Sequence, residues 1–127
     1  MSKEECQLWY DGLFSKYPNT FRNLNYIECE SGWSYIIEAL CNTIEKHIQS
    51  LPEEVRDEIC AVQIKEKFGG LRFYMQSSTP YIDGAISMAE SLSYCYCEYC
   101  GLPGDRGNPK TGWIKTLCKD CYNKYRK

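Results

Sequence analysis

The sequence predicts an α+β fold in which helices pack on a two-stranded β-hairpin, followed by a small C-terminal module built around cysteines. Three observations support this prediction. Apolar residues recur at helical spacing in three stretches, the period changes to two on either side of Gly69 and Gly70, and two Cys-x-x-Cys pairs lie near the carboxyl end. The predicted division is a body over residues 1–94 and a module over residues 95–127.

The first helix is predicted from about Lys3 to Lys16. Ser2 and Glu5 stand at the two ends of a capping box, and apolar and aromatic residues follow at helical spacing. Pro18 ends the helix, because the proline ring cannot continue it. The Asn-rich connection that follows has no periodic pattern and receives no predicted structure.

The second helix is predicted to supply the largest part of the apolar core. Ser31 is the expected N-cap, and the helix is expected to end near Ser50. Its apolar stripe consists of Trp33, Ile36, Ile37, Leu40, Ile44 and Ile48. A short helical turn is expected after Pro52. The stripe should cover the hairpin, because a two-stranded ribbon alone is marginal in water.

A β-hairpin is predicted from Cys60 onward, where apolar and polar residues alternate. The residues expected on its apolar face are Val62, Ile64, Leu71, Phe73 and Met75. Gly69 and Gly70 separate the two arms and are expected to form the turn, since glycine accepts a positive φ. A ligand-binding loop at Phe68-Gly69-Gly70 is the alternative, because paired glycines let a backbone approach a ligand closely.

The third helix is predicted from Pro80 to about Tyr94. Thr79 precedes the proline in a typical cap signal, and apolar residues recur along the segment. The helix leads directly to Cys97 without a Gly/Ser-rich or charged spacer. The module is therefore expected to be fused rigidly to the body.

Four cysteines of the module have the spacing of a zinc site. The pairs are Cys97 with Cys100 and Cys118 with Cys121, and seventeen residues separate them. Each pair can turn tightly enough to put both sulfur atoms on one ion, and the segment between the pairs can form a hairpin. We predict one structural Zn²⁺ ion on these four thiolates. Disulfides or a redox pair are the alternatives, and Cys95 is a nearby thiol that could compete as a ligand.

Composition and charge indicate the class of the protein. The 127 residues are 43% hydrophobic and 14% aromatic, which is typical of one folded domain. No secretory leader or membrane-spanning run is expected, so we predict a cytoplasmic protein whose nine cysteines are thiols and metal ligands. Residues 1–94 carry a charge of −6 and residues 95–127 carry +4. That basic excess is too small by itself to indicate a nucleic-acid-binding protein.

Catalysis is not expected. His47 is the only histidine, which excludes a two-histidine metal site and a His-Asn-His nuclease centre. A zinc ion with four thiolate ligands also lacks the open position that catalytic zinc keeps for water. The acidic clusters, such as Glu53 and Glu54, are interpreted as solvated surface. The protein is therefore predicted not to be an enzyme.

The module resembles treble-clef zinc fingers. The expected order is a tight turn after Cys100, a turn-rich stretch over Gly104 to Thr111, a strand over Trp113 to Leu117 and a helical segment over Cys118 to Lys127. The cysteine spacing is similar to that of GATA-type zinc fingers. The resemblance implies a helix and a basic flank placed against DNA, but the Trp-Arg-Arg stretch of those fingers is missing here.

A candidate partner surface surrounds the predicted finger. Tyrosines supply rigid contact area at interfaces, and basic side chains can neutralise phosphates. The residues assigned to this surface are Tyr99, Arg106, Lys110, Lys115, Lys119, Tyr122 and Lys124. The alternative for the tyrosines is that they pack the finger against the third helix, and the alternative for the basic residues is a solvated face.

A second resemblance extends over the whole chain. Its motifs are Glu30-Ser31-Gly32-Trp33, Lys67-Phe68-Gly69-Gly70-Leu71-Arg72-Phe73-Tyr74 and Gly112-Trp113-Ile114-Lys115-Thr116-Leu117-Cys118. Together they are similar to a family of small, uncharacterised bacteriophage and prophage proteins. The resemblance implies a phage or mobile-element origin and a bacterial cytoplasm, and it implies no activity. We expect a non-enzymatic binding protein that engages a host protein and inhibits a host or defence function. The alternative is a nucleic-acid-binding regulator that uses the basic tail.

Overall fold

The computed structural model describes residues 3–107 and 113–125 and contains both helices and strands. The elements in chain order are α1 (Lys3–Lys16), α2 (Ser34–Ile48), α3 (Glu53–Arg56), β1 (Ala61–Lys67), β2 (Gly70–Met75), α4 (Pro80–Ser93), β3 (Asp105–Gly107), β4 (Lys115–Leu117) and α5 (Lys119–Tyr125). The predicted mixture of helices with an antiparallel hairpin is confirmed. Ser2, the expected capping residue of α1, lies outside the described residues. No helix in the described part of the chain is long and apolar enough to cross a membrane.

The β1–β2 hairpin contains a bulge that the alternating pattern did not predict. Ala61 pairs with Met75, but Gln63 pairs with Tyr74, so Val62 is an extra residue on its strand. Val62 is consequently exposed, whereas Ile64 is buried as predicted. The placement of Val62 on the apolar face was therefore wrong.

The hairpin turn is made by Phe68 and Gly69, one residue earlier than predicted. Lys67 pairs with Gly70, and both residues between them have positive φ, 53° at Phe68 and 81° at Gly69. Gly70 instead begins β2 and lies against Tyr94, where an added Cβ would be 2.5 Å from the ring. Gly70 is therefore needed because the Tyr94 ring packs closely against its backbone, and not because the turn requires a positive φ there.

Both edges of the hairpin are covered by other parts of the chain. Glu28 forms a parallel bridge with β1, and its N–H donates to the Ile64 carbonyl at 2.9 Å. On the other edge, Ser93 Oγ accepts from the Leu71 N–H at 2.9 Å and a Glu90 oxygen accepts from the Phe73 N–H at 3.0 Å. α4 adds no strand to the sheet, yet two of its side chains accept hydrogen bonds from β2 N–H groups that would otherwise be unpaired at the sheet edge.

α2 starts two residues later than predicted, with Trp33 in the N-cap position. Ser31–Trp33 form a single 3₁₀ turn, and α2 begins at Ser34 with no capping hydrogen bond from a side chain. The cause is a contact with the module, because the Gly32 N–H donates to the Glu98 carbonyl at 2.6 Å. The assignment of Ser31 as N-cap was wrong, while Thr79 caps α4 as predicted, accepting from the Ile82 N–H at 3.2 Å.

One apolar core lies between the helices and the hairpin. Its fully buried side chains include Trp33, Ile37, Ile44, Ile48, Ile64, Leu71 and Ile82. A second, smaller cluster of Cys97, Leu117 and Cys118 lies inside the module. Each large apolar side chain contributes about 2 kcal/mol when it is buried, which makes the first cluster the main source of stability. The small module therefore depends on something besides apolar burial.

The module contains a short strand that was predicted only as a turn-rich segment. β3 pairs antiparallel with β4, and Asp105 lies opposite Leu117. The predicted strand over Trp113 to Leu117 is shorter, because pairing begins at Lys115. The last helix begins at Lys119, directly after Cys118.

Candidate metal centre and adjoining groove

The four cysteines of the two Cys-x-x-Cys pairs lie together. The sulfur atoms of Cys97, Cys100, Cys118 and Cys121 are all within 4.8 Å of one another, and the Cys100 and Cys118 sulfurs are 3.5 Å apart. None of the nine cysteines forms a disulfide. Within the described residues, this is the one cluster of His, Cys, Asp or Glu side chains arranged to hold a metal ion.

Local backbone geometry brings the sulfurs together. The Gly101 N–H donates to the Cys97 carbonyl at 2.9 Å, and Gly101 has a φ of 83°, which an L side chain rarely adopts. In the second pair, the Cys121 N–H points at the Cys118 sulfur at 3.4 Å. Cys118 stands immediately before α5, so the first turn of this helix carries the second pair.

The thiols differ in acidity. The Cys121 N–H lowers the pKa of Cys118 to about 7, and the neighbouring thiols act in the same direction. Burial raises the pKa of Cys100 and Cys121. Four thiols crowded at this distance favour a cation that holds all of them as thiolates.

The spacing fits a single metal ion. Tetrahedral zinc with bonds of about 2.3 Å would separate its sulfur ligands by about 3.8 Å, which lies inside the observed limit of 4.8 Å. Cys97 and Cys118 are buried, while Cys100 is partly accessible. Cys95 is exposed and is not part of the cluster.

The chain was compared with family models, curated proteins and solved structures. No match was found in any of the three comparisons.

The first cysteine pair is in direct backbone contact with the body. An added Cβ at Gly32 would lie 2.1 Å from the Cys97 oxygen and 2.3 Å from the Glu98 oxygen. Beside it, the indole N–H of buried Trp33 donates to the Tyr96 carbonyl at 2.9 Å. Only glycine allows the start of α2 to approach the cysteine turn this closely.

An ionic cluster connects the cysteine turn, the hairpin and β4. Glu98 is only 2% exposed, and its carboxylate accepts from the Glu30 N–H at 3.1 Å and lies 3.3 Å from Lys115 Nζ. Lys115 Nζ is also 3.2 Å from Glu66 Oε1. Burial raises the pKa of Glu98, and Lys115 opposes this. Burial lowers the pKa of Lys115, but Glu98 and Glu66 outweigh it and the net pKa is raised.

The hairpin tip is held against the module by hydrogen bonds. Thr116 Oγ1 donates to the Gly69 carbonyl at 2.6 Å, and Arg106 Nε donates to the Phe68 carbonyl at 2.9 Å. A Glu66 oxygen accepts from the Gly69 N–H at 2.9 Å. The Arg106 guanidinium also lies 4.7 Å from the centre of the Tyr94 ring. These contacts fix the backbone of the turn, but the side chain of Phe68 remains exposed to solvent.

An aromatic groove of about 300 Å³ opens where the hairpin tip meets β4. Phe68 and Trp113 stand at its rim with 58% and 72% of their surfaces exposed. Glu66, Lys67 and Ile114 complete the lining. A bulky residue in left-handed backbone geometry costs about 1–3 kcal/mol, yet the chain places the exposed Phe68 at a φ of 53°.

The seven residues assigned to the partner surface lie in different environments. Tyr99 and Tyr122 are half-buried and pack on the small cluster of the module. Lys115 forms ion pairs with the carboxylates of Glu66 and Glu98. Arg106, Lys119 and Lys124 are exposed, and Lys110 lies outside the described residues.

His47 is placed away from the cysteines, at the junction of α2 and α4. Its Nε2 is 3.1 Å from Thr79 Oγ1, and its ring stacks on Tyr81 at 4.4 Å between centroids. These contacts support the capped end of α4.

The sequence did not indicate Gly32, Glu98 or Trp113 as site residues, and it indicated Phe68 only through the alternative of a ligand-binding loop at the hairpin tip. A glycine at the start of an apolar helix signals a close approach of another backbone, and this signal was available for Gly32. Glu98 carried no local signal, because its partner Lys115 is seventeen positions away and Glu66 is on another strand.

Proposed function

We propose that this chain is a non-enzymatic binding protein whose C-terminal module is held by one structural zinc ion and resembles a treble clef. Zinc is the ion favoured by four thiolates, because soft sulfur ligands in a closed set suit it and leave no position for a reacting water. In this proposal the ion stabilises the module, and the binding partner is recognised elsewhere.

The proposed recognition site is the aromatic groove of Phe68, Trp113, Ile114, Glu66 and Lys67. The single observation that supports it is the exposed aromatic Phe68 at a φ of 53° beside Trp113. A type I′ turn prefers Asn-Gly, so a bulky apolar side chain at this position is unfavourable for folding. Such strain is typical of residues kept for binding, and exposed aromatic anchors beside a groove are typical of protein interfaces.

A protein partner fits the groove better than a nucleic acid does. Lys67 lines the groove next to Glu66, and the nearby Lys115 is held between the carboxylates of Glu66 and Glu98, so the groove carries no excess of positive charge. A zinc ion on four thiolates would add two negative charges nearby. From the resemblance to small phage and prophage proteins, we further propose that the protein acts in a bacterial cytoplasm, where it occupies a host protein and inhibits a host or defence function. The alternative, a nucleic-acid-binding regulator, would depend on the exposed Arg106 and Lys119.

The test is recovery of partners from bacterial lysate with the tagged protein, with and without nuclease. We expect a partner that survives nuclease and is retained at least about tenfold less by the double variant Phe68→Asn/Trp113→Ala. Tyr26→Ala is the matched control, because Tyr26 is an exposed aromatic residue outside the groove.

Loss of all retained material on nuclease treatment would contradict the protein-partner proposal. Equal retention by the double variant and the control would contradict the groove. Binding that falls steeply with salt and with Lys119→Gln would support the nucleic-acid alternative.

A further inference from the structure

The outer face of the β1–β2 hairpin carries basic side chains. The pair of Ile64 and Phe73 is buried against the core, so the next pair, Lys65 and Arg72, projects from the opposite face of the sheet. Two like charges directly opposite each other destabilise a sheet. The stability of the hairpin therefore does not explain why both positions are basic.

The Tyr94 ring lies among the cations of this face. An added Cβ at Gly70 would be 2.5 Å from the ring, and it would project on the same side of the sheet as Arg72, two residues along β2. The guanidinium carbon of Arg72 is 6.0 Å from the ring centre, and that of Arg106 on β3 is 4.7 Å from it. Lys67 stands across from Gly70 on β1. We call Lys67, Arg72 and Arg106 the basic cluster.

The basic cluster is not neutralised by ion pairs. In the part of the chain that the structure describes, none of its three cations pairs with a carboxylate. Glu90 lies near Arg72, but its Oε2 accepts from a backbone N–H of β2 at 3.0 Å. Asp105 precedes Arg106 on β3 and therefore projects from the other face of that strand. Three cations left without counter-charges favour an anion supplied by another molecule.

The two arginines of the basic cluster are held in place by the protein itself. Arg106 Nε donates to the Phe68 carbonyl at 2.9 Å, and Arg72 Nη1 donates to the Leu71 carbonyl at 3.0 Å. A hydrogen bond with Tyr94 raises the pKa of Arg72, which therefore keeps its charge. A guanidinium is planar and matches the two oxygens of a carboxylate, and a side chain that is already ordered loses less entropy on binding.

We propose that the basic cluster binds the carboxylates of an acidic segment in the protein partner whose apolar side chain enters the aromatic groove. This inference rests on the proposed function and adds the chemical class of the partner segment. The basic cluster and the aromatic groove are continuous, because Lys67 belongs to both and Arg106 binds the Phe68 carbonyl. A segment with an acidic residue near an apolar one would contact both sites at once.

A short acidic segment suits the basic cluster better than a nucleic acid does. Residues 1–94 carry a charge of −6, so a long polyanion would also meet the negative charge of the body. A few carboxylates need only the local cations. The face therefore favours a peptide over a phosphodiester chain.

Nuclear magnetic resonance of the full chain with zinc present, titrated with a hexaglutamate peptide, tests the proposal. We expect the side-chain Nε–Hε signals of Arg72 and Arg106 to shift and saturate, because carboxylates replace water at the guanidiniums. The double variant Lys67→Gln/Arg72→Gln should weaken hexaglutamate binding at least about fivefold, since it removes two of the three cations. Lys67→Glu alone should also weaken binding, and it poses little risk to folding because Lys67 is exposed.

Lys46→Gln is the matched control, and it should leave hexaglutamate binding unchanged. Lys46 is an exposed lysine of α2, outside the basic cluster and, among the described residues, without an ion pair. No binding of hexaglutamate, or equal binding by the double variant and this control, would overturn the proposal.

An oligothymidylate of matched charge separates carboxylate from phosphate recognition. Tighter binding of the oligothymidylate than of hexaglutamate at the same salt concentration would overturn the carboxylate assignment. The titration uses no lysate partner. A failed recovery from lysate would therefore contradict the proposed function, whereas a failed titration beside a successful recovery would contradict only the acidic segment.

Discussion

Substitution of Gly32 by alanine tests whether the start of α2 supports the cysteine module. The new Cβ would lie 2.1 Å from the Cys97 oxygen, 2.3 Å from the Glu98 oxygen and 2.4 Å from the Glu98 carbonyl carbon. Ordinary carbon–oxygen contacts are about 3.3 Å or longer, so the two backbones must separate by about 1 Å.

The expected cost follows from the hydrogen bond that this separation disrupts and from the crowding that remains. The 2.6 Å bond from the Gly32 N–H to the Glu98 carbonyl would lengthen or break. An unsatisfied buried polar group costs about 1–3 kcal/mol, and overpacking adds about 1–3 kcal/mol. We expect Gly32→Ala to lower the free energy of unfolding by about 2–6 kcal/mol.

Urea denaturation followed by tryptophan fluorescence measures this change. Trp33 is fully buried beside Gly32 and bonds to the Tyr96 carbonyl, so its emission reports on the junction. The free zinc concentration must be held constant, because a bound metal shifts apparent stability by mass action.

Gly12→Ala is the matched control for Gly32→Ala. Gly12 lies within α1, and an added Cβ there meets no atom within 4 Å. Alanine should stabilise that helix by about 0.5–1 kcal/mol. If Gly32→Ala changed the free energy of unfolding no more than the control does, the close approach of α2 to the cysteine turn would be refuted.

Three further predictions concern the module and the turn. Native mass spectrometry should detect one zinc ion on the wild type and on Cys95→Ser, and none on Cys118→Ser; zinc retained by Cys118→Ser would contradict the proposed site. Lys115→Met should destabilise the chain by about 3 kcal/mol in thermal unfolding, since it leaves two carboxylates facing each other, and adding Glu98→Gln should recover part of the loss; an unchanged melting temperature would show that the ionic cluster contributes nothing. Phe68→Asn should raise the free energy of unfolding by about 1 kcal/mol, because asparagine accepts the left-handed geometry at lower cost; a loss of stability in urea denaturation would mean that the phenylalanine ring supports the fold.

The helices could be predicted from local patterns, and the hairpin could be predicted apart from its details. The bounds of α1 agree with the capping box and Pro18, and α4 begins at the predicted cap. The exposure of Val62 was not predicted, because the bulge moves Val62 to the opposite face of the strand and no local sequence signal marks the bulge. The position of Phe68 in the turn was not predicted either. Phenylalanine is unfavourable at positive φ, so the sequence pattern assigns the turn to the two glycines.

The candidate metal site could be predicted from spacing alone. Two residues between the members of each cysteine pair place both sulfurs on one side of a tight turn, so the cluster of four follows once the pairs meet. The partner surface could not be predicted in the same way. Lys115 is a basic residue near the finger in the sequence, but its Nζ lies between Glu66 and Glu98.

The sequence by itself determined the helical segments, the hairpin and the two cysteine pairs, because each depends on residues close together in the chain. Tertiary structure alone decided which side chains remain exposed. Gly32 meets Cys97, and Arg106 binds the Phe68 carbonyl, across long stretches of chain. These contacts hold the hairpin tip against the module and bury the ionic cluster beneath it. Phe68 is left outside because the same bonds that fix its backbone do not cover its ring.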